Sequence, residues 1–387
     1  MITRIAKSIR REDLIIDLVL IEETMLPYLN LLKKEKEWFA IHYLNGLKRV
    51  NKSALNLIQN IISIKAARIF ANHYFDKFVP DILITFIDHH PINASLIETY
   101  RRKLKNNKII LVEEGISTYI NVTSKYDNNK IFHKVKGKLK KILGYGNPEG
   151  KHVGQVCNPD VCIVSDVSLV RPGYGERALF IEWPKGPFPQ NLTKEYCNII
   201  GLKNAFNLDY KVSGILLGQP LSEDKLITWE KEKKIIQMIG EITKESKQPI
   251  MVKPHPRESK TKLNIYMDNG LICNWELTYV PIETIFSFYR PDYVISYFSS
   301  AAINYLFRFN GNVIWLEKLL FGKQEEANSL LNNCIGNKVW APEDGTELRA
   351  AIMQLTNYKY NNGIEKIEHK ENDLSSWKKT IDEAFFY

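Results

Sequence analysis

The sequence is short of cysteine and lacks long apolar runs. Neither a CxxC pair nor an even number occurs among its five cysteines, which stand at Cys157, Cys162, Cys197, Cys273 and Cys334. This usage predicts reduced thiols in the cytoplasm and excludes a disulfide framework. No run of about 18 apolar residues is present, so no membrane-spanning helix is predicted. Residues 1–7 lack the apolar core of a signal peptide.

Acidic residues are outnumbered by basic ones. Lys and Arg total 53 against 44 Asp and Glu, a net charge of +9, which favours an anionic partner. The N-terminal half carries two basic clusters, Arg101, Arg102, Lys103, Lys105 and Lys108, then Lys125, Lys130, Lys134, Lys136, Lys138, Lys140 and Lys141. The alternative for either cluster is a solvated face. No nucleic-acid-binding signature accompanies them, so a nucleic acid is not the expected partner. Basic residues within 4–11 allow peripheral contact with anionic lipid at the inner membrane, against the alternative of a plain surface terminus.

Strand-like and helix-like segments alternate along the chain, which predicts an α/β protein with parallel sheets. The predicted strands are 14–21, 38–43, 81–87, 109–112, 160–167, 212–217, 250–253, 271–273, 293–296 and 313–316. A Pro- and Gly-rich segment, 171–191, is expected to be irregular and to lead into an interdomain crossover ending near 210. We therefore predict two Rossmann-like domains, 1–200 and 211–365, with 366–387 forming a helix that packs back on the first.

Two adjacent carboxylates, Glu113 and Glu114, follow the strand 109–112 and precede Gly115. The carboxyl end of a buried strand is where open α/β sheets bind ligands. Adjacent like charges raise the pKa of one partner, which suits a general base. The alternative is a solvated strand end. His89 and His90, with Asp88, end the preceding strand and are further candidates for contact with a substrate, against a local turn network.

The second half offers groups that suit an anionic ligand. In Lys253-Pro254-His255-Pro256, two prolines hold a histidine just past a strand, with Arg257 following. Ser299 and Ser300 lie where a strand gives way to a helix, a position that binds anions or merely caps the helix. Glu283 lies in a first helical turn, where it binds a ribose diol or complements the helix dipole. Gly218 and Gln219 end another strand and permit close approach of a nucleotide.

Together these motifs resemble those of the bacterial polysialyltransferases and related GT-B sialyltransferases. Glu113-Glu114-Gly115 matches their acidic D/E-D/E-G motif, Lys253 to Glu258 their HP motif and Ser299-Ser300 their SS motif. The resemblance implies a GT-B fold, two Rossmann-like domains facing across a cleft, with the acceptor in the first and the CMP-sugar donor in the second. It implies an inverting reaction without a metal or other cofactor. The sequence offers no metal-ligand cluster and no Asp-x-Asp motif.

The resemblance also implies roles for individual residues. Glu114, or else Glu113, would deprotonate the acceptor hydroxyl, and His255 would bind or protonate the phosphate of CMP. Groups expected around the donor are Ser299, Ser300, Glu283, Gly218, Gln219, Lys253 and Pro256. Groups expected around an acidic acceptor are His89, His90, Arg101, Arg102, Lys103 and Lys105.

The expected function is transfer of sialic acid from CMP-sialic acid to a glycan, with elongation of polysialic acid in capsule synthesis as the first choice. Two alternatives stay open. One is a transferase that adds a single sialic acid or related CMP-activated sugar to a lipooligosaccharide. The other is a non-catalytic binder of acidic glycans. The expected partners are the CMP-activated sugar, an acidic oligosaccharide or polysaccharide, and a peripheral capsule complex at the inner membrane.

Overall fold

The computed structural model describes residues 17–20, 40–43, 54–88, 90–104, 107–113, 118–119, 153–186, 212–287, 289–322, 338–362, 376, 379–380 and 382–384. The chain divides into two compact units, 1–183 with 374–387, and 184–373. The domain limits expected at 200, 211 and 365 remain predictions. Most of the expected crossover lies outside the described residues.

Parallel strands build the first unit. Its elements are β1 (Asp17–Leu20), β2 (Ala40–Tyr43), α1 (Ala54–Lys77), β3 (Ile82–Thr85), α2 (Pro91–Lys103), β4 (Lys108–Val112), β5 (Val161–Val164) and β6 (Leu179–Glu182). Strands β1 and β2 pair with each other, and the others form a sheet of order β3-β4-β5-β6. Apart from Lys108, its central strands are apolar because helices cover both faces of such sheets, and residues 109–112 are completely buried.

Strand β6 corrects the expectation that 171–191 is irregular throughout. Residues Leu179–Glu182 pair with β5 in parallel. The Pro- and Gly-rich composition holds for the flanking turns, where Gly173 and Gly175 have positive φ angles of 78° and 52°. The apolar residues between those turns still form a short edge strand. The strand was not predicted because turn-forming residues lie on both sides of it.

The described residues of the second unit form a six-stranded parallel sheet. Its elements are β7 (Gly214–Leu217), α3 (Trp229–Ser246), β8 (Ile250–Lys253), α4 (Lys260–Asp268), β9 (Ile272–Cys273), α5 (Ile282–Phe286), β10 (Tyr293–Ser296), α6 (Ser300–Phe309), β11 (Asn312–Trp315), α7 (Glu317–Phe321), β12 (Val339–Trp340) and α8 (Gly345–Asn362). The strand order is β12-β11-β10-β7-β8-β9. The chain therefore builds outward from β7 on one side and then returns to build from β10 on the other.

This order creates a topological switch point between β7 and β10, and in open α/β sheets ligands bind outside the carboxyl ends of the strands there. The register aligns three strand ends, since Leu217 pairs with both Ser296 and Lys253. The loops that follow these three residues consequently leave the sheet side by side. Within the described part of the chain, no helix is long and apolar enough to cross a membrane.

Candidate active site

The His255 loop leaves the sheet at the end of β8 and makes a tight turn. The N–H of Glu258 donates to the carbonyl of His255 at 3.0 Å, and Pro256 occupies the second position of the turn, which its fixed φ suits. The imidazole Nδ1 accepts a hydrogen bond from the N–H of Arg257 at 3.1 Å. Because Nδ1 is an acceptor, the proton of the neutral ring lies on Nε2.

Burial, with the nearby charges of Arg257 and Lys253, lowers the pKa of His255 to about 4. The imidazole is therefore neutral at neutral pH, and its Nε2–H is a hydrogen-bond donor. A phosphate placed against it would supply the negative charge that favours protonation. The side chain is half-buried, so a ligand can reach it.

The lysine of the HP motif points inward. Lys253 is buried, and its ammonium donates to the carbonyls of Pro254 at 2.6 Å and Thr278 at 3.0 Å. Burial lowers its pKa to about 8, against the opposing charges of Glu258 and Glu283. These contacts hold the loop against the 3-10 helix Trp275–Tyr279. Pro256 is exposed at the tip of the turn. Donor binding by either residue remains a prediction.

The loop after β7 is bonded to both of its neighbours. The Gln219 side-chain oxygen accepts the N–H of Phe298 at 3.0 Å, joining this loop to the one that follows β10. Packing gives a second reason for glycine at Gly218, beside the close approach of a nucleotide, which remains a prediction. A Cβ on Gly218 would lie 2.2 Å from Oε2 of Glu258, so the glycine makes room for that carboxylate.

Ser299 and Ser300 lie at the start of α6, a helix of 10 residues. The Ser299 hydroxyl accepts the N–H of Ala301 at 3.3 Å, and the Ser299 N–H donates to the Ser296 hydroxyl at 2.8 Å. Ser299 is therefore the N-cap, and phosphate binding by Ser299 and Ser300 remains a prediction. Capping leaves the helix start at the switch point, where its remaining N–H groups favour an anion.

Glu283 lies in the first turn of α5 and contacts α6. Its Oε1 accepts the side-chain N–H of Asn304 at 3.2 Å. Asn304 lies one helical turn after Ser300, so the two share a face of α6. Asn304 was not predicted from the sequence, although its spacing of four residues from Ser300 was visible there. Contact of Glu283 with a ribose remains a prediction.

In the first unit, Glu113 follows β4 and is buried. Its Oε2 accepts the hydroxyl of Tyr119 at 2.7 Å and also the N–H of Ser165. Burial and the charge of Glu113 raise the pKa of Tyr119 far above its ordinary range, so the phenol stays a donor. Glu113 thus ties the end of β4 to the end of β5. Glu114 lies outside the described residues, as do His89 and Lys105.

Asp88 is held by a segment distant in sequence, not by the local turn network that was the alternative. Its fully buried carboxylate accepts three main-chain N–H groups, from Gly154 and Val156 at 2.9 Å and from Cys157 at 3.0 Å. His90 occupies the N-cap position of α2 without a side-chain capping bond. Contact of His90 with an acceptor remains a prediction.

The basic residues at the end of α2 do not flank Glu113. The helix starts near the carboxyl end of β3 and returns the chain to the start of β4, which places Arg101, Arg102 and Lys103 at the amino-terminal edge of the sheet. Each bonds within the unit: Arg101 to Asp160 at 2.9 Å, Arg102 to Asn72 at 3.1 Å, and Lys103 to Asp76. These residues lie at the edge of the sheet opposite Glu113 because crossover helices run antiparallel to their strands; their contact with an acceptor remains a prediction.

A buried ionic cluster behind the His255 loop was not expected from the sequence. The Lys262 ammonium is fully buried and bonds with Glu258 at 2.9 Å, with Glu232, and with the carbonyl of Gln219 at 2.6 Å. Burial opposes the charge of Lys262, but the two carboxylates outweigh it and raise its pKa. The i, i+4 spacing of Glu258 and Lys262 was a visible signal.

Comparison with solved structures identifies the class. The calicheamicin glycosyltransferase CalG4 is 9% identical, with a TM-score of 0.51 over 99% of this chain and 89% of that one. UGT89C1 of Arabidopsis thaliana, solved with UDP-L-rhamnose, is 9% identical, with a TM-score of 0.50 over 99% and 94% of the two chains. This protein has the fold of the GT-B glycosyltransferases. No curated protein matches it in sequence.

The family follows from the sequence itself. The family model for alpha-2,8-polysialyltransferases (POLYST) matches residues 29–314, which include all three motifs. The chain belongs to the alpha-2,8-polysialyltransferase family, as the motif resemblance predicted, and it is a glycosyltransferase.

Proposed function

We propose that this enzyme transfers sialic acid from CMP-sialic acid to the end of an oligosialic or polysialic chain, with inversion at the anomeric carbon, in the synthesis of a surface polysaccharide. One observation carries the proposal: His255, Gln219 and Ser299 come from three loops that the strand register places side by side at the switch point. A neutral imidazole N–H and an open helix start suit a phosphate group. The match to the alpha-2,8-polysialyltransferase family is the reason for proposing sialic acid as the transferred sugar.

In the proposed reaction, the bond between the anomeric carbon and the CMP phosphate oxygen breaks, and its electron pair leaves with CMP. The acceptor hydroxyl oxygen bonds to the same carbon from the opposite face, while its proton passes to Glu114. His255 stabilises the leaving phosphate through Nε2–H, and Ser299 and Ser300 hold it at the start of α6. No metal is assigned to the proposed reaction, because these groups provide the charge stabilisation that it needs.

Glu114 is preferred as the base on the evidence of its neighbour. The carboxylate of Glu113 is buried and already accepts two hydrogen bonds. These bonds commit Oε2 of Glu113 to Tyr119 and Ser165. Glu113 is therefore suited to fixing the end of β4, and Glu114 to proton abstraction.

The test is CMP release from CMP-sialic acid with an oligosialic acceptor, comparing wild type with Glu114→Gln. The variant should lose roughly 100-fold or more of its rate, as expected for a general base, and bind CMP with unchanged affinity in calorimetry. The matched control is Glu176→Gln, an exposed glutamate of the same unit, which should keep full activity. Full activity in Glu114→Gln with loss in Glu113→Gln would reverse the assignment.

The same assay separates the alternatives. Turnover with galactose-ended but not sialylated acceptors would favour a transferase that adds one sialic acid to a lipooligosaccharide. CMP binding without turnover on any acceptor would favour a non-catalytic glycan binder. Product sizing after reaction with labelled oligosialic acid distinguishes a polymerase by its ladder of longer chains.

A further inference from the structure

Glu258, the last residue of the HP motif block, contacts three groups through one buried carboxylate. Its Oε2 accepts the main-chain N–H of His255 at 2.6 Å, and its Oε1 accepts the hydroxyl of Tyr266 at 2.8 Å. The same Oε1 pairs with Lys262 at 2.9 Å. The side chains of Glu258 and Lys262 are both fully buried. The carboxylate therefore braces the turn that carries the imidazole.

The cluster also reaches the loop after β7. Lys262 donates to the carbonyl of Gln219, whose side chain bonds with Phe298 beside Ser299. Gly218 packs on the Glu258 carboxylate so closely that no side chain fits there. Lys262 and Glu258 thus connect the loops after β7 and β8, and the Gln219 side chain extends the connection to the loop after β10.

We propose that Glu258 is a positioning residue, which sets the His255 loop against the Gly218-Gln219 loop so that both meet the same phosphate. This inference rests on the function proposed above. The side chain of Glu258 is buried, so its proposed effect on the phosphate is indirect. It acts through its bonds to the main chain of His255 and to Lys262.

The chemistry requires a carboxylate at this position. The His255 N–H and the Lys262 ammonium can only donate, and they lie against opposite oxygens of Glu258. A glutamine has a single oxygen, so either orientation of its amide places an NH₂ group against one of these donors. Glu258→Gln, although of the same size, cannot preserve both contacts.

The experiment compares Glu258→Gln with Glu232→Gln. Glu232 is equally buried and pairs with the same lysine, but no bond links it to His255; its Oε2 accepts the N–H of Ser222 at 3.1 Å. We expect Glu258→Gln to lower kcat/KM by about tenfold or more, as for a misplaced catalytic group, and to weaken CMP binding. Glu232→Gln should lower the melting temperature at least as much with a far smaller loss of kcat/KM. Equal losses in the two variants would overturn the proposal.

A milder pair covers the case in which Glu258→Gln fails to fold. Tyr266→Phe removes the hydroxyl that orients Oε1 and leaves both charges in place, while Tyr297→Phe alters an equally buried tyrosine for which no bond to Glu258 is found among the described residues. The value of kcat/KM for Tyr266→Phe should be about threefold lower than that for Tyr297→Phe. The expected difference is small because only the orientation of the Glu258 carboxylate changes. No difference between them would count against Glu258 as a positioning residue. If the wild-type enzyme neither bound CMP nor released it from CMP-sialic acid, the proposed function itself would be overturned, regardless of the results for the variants.

Discussion

The two units hold their carboxyl-edge loops by different means. In the first unit, Asp88 and Glu113 accept hydrogen bonds from main-chain N–H groups, and Glu113 also accepts one from the hydroxyl of Tyr119. In the second unit, Glu232 and Glu258 share a buried lysine. The amide-held carboxylates join segments that are distant in sequence through neutral main-chain donors. The cluster centred on Lys262 also joins distant loops, but it does so with charges that are costly to leave unpaired.

Removing the centre of the ionic cluster should have the largest effect. Lys262→Ala leaves two fully buried carboxylates without their cation, which should cost about 3–5 kcal/mol of unfolding free energy. Urea denaturation monitored by circular dichroism measures this. A loss below about 1 kcal/mol, the range of an exposed pair, would remove the contrast between the units.

Lys253 gives the comparison a pH dependence. Its pKa is lowered to about 8 by burial, from an ordinary value of 10.5. Between these values the unfolded chain binds more protons than the folded one, so wild-type stability should rise with pH across this window. The difference in unfolding free energy between wild type and Lys253→Met removes the contribution of other titrating groups. This difference should increase by about 3 kcal/mol by pH 10.5. A difference independent of pH from 7 to 10.5 would show that the ammonium is not desolvated.

The amide-held carboxylate of the first unit should be easier to replace. Asp88→Asn keeps one acceptor oxygen but sets an NH₂ group against main-chain N–H donors, a cost of about 1–3 kcal/mol. The matched control, Asp76→Asn, breaks the exposed pair with Lys103 and should cost less than about 1 kcal/mol. Chemical denaturation ranks the two. If Asp88→Asn and Lys262→Ala lost the same unfolding free energy, the stability of the two units would depend equally on buried charge.

The fold was predictable where apolar strands lie between clear turn signals. Strands β8 and β10 were predicted to the residue, because each is a short buried run that ends at a motif. Strand β6 was missed, because its composition is dominated by the turns around it. The motif residues of the second unit were placed correctly at strand ends, since parallel strands bring their carboxyl ends to one edge.

The partners of the motif residues were less predictable. Glu232 belongs to the acidic first turn of a helix, a pattern that usually indicates a solvated, dipole-complementing face. Only the tertiary structure brings it to Lys262. The location of the basic end of α2 was also not predicted, since proximity in sequence to Glu113 does not give the direction in which the helix runs.

Gly218 carries a consequence for how such sequences diverge. With its Cα packed against the carboxylate of Glu258, the position has no space for even a methyl group. A substitution at 218 must therefore arrive together with a shorter side chain at 258, or be lost to selection. Although about 40 residues of chain separate positions 218 and 258, they are expected to change together. Covariation between them in a set of relatives would reflect this contact.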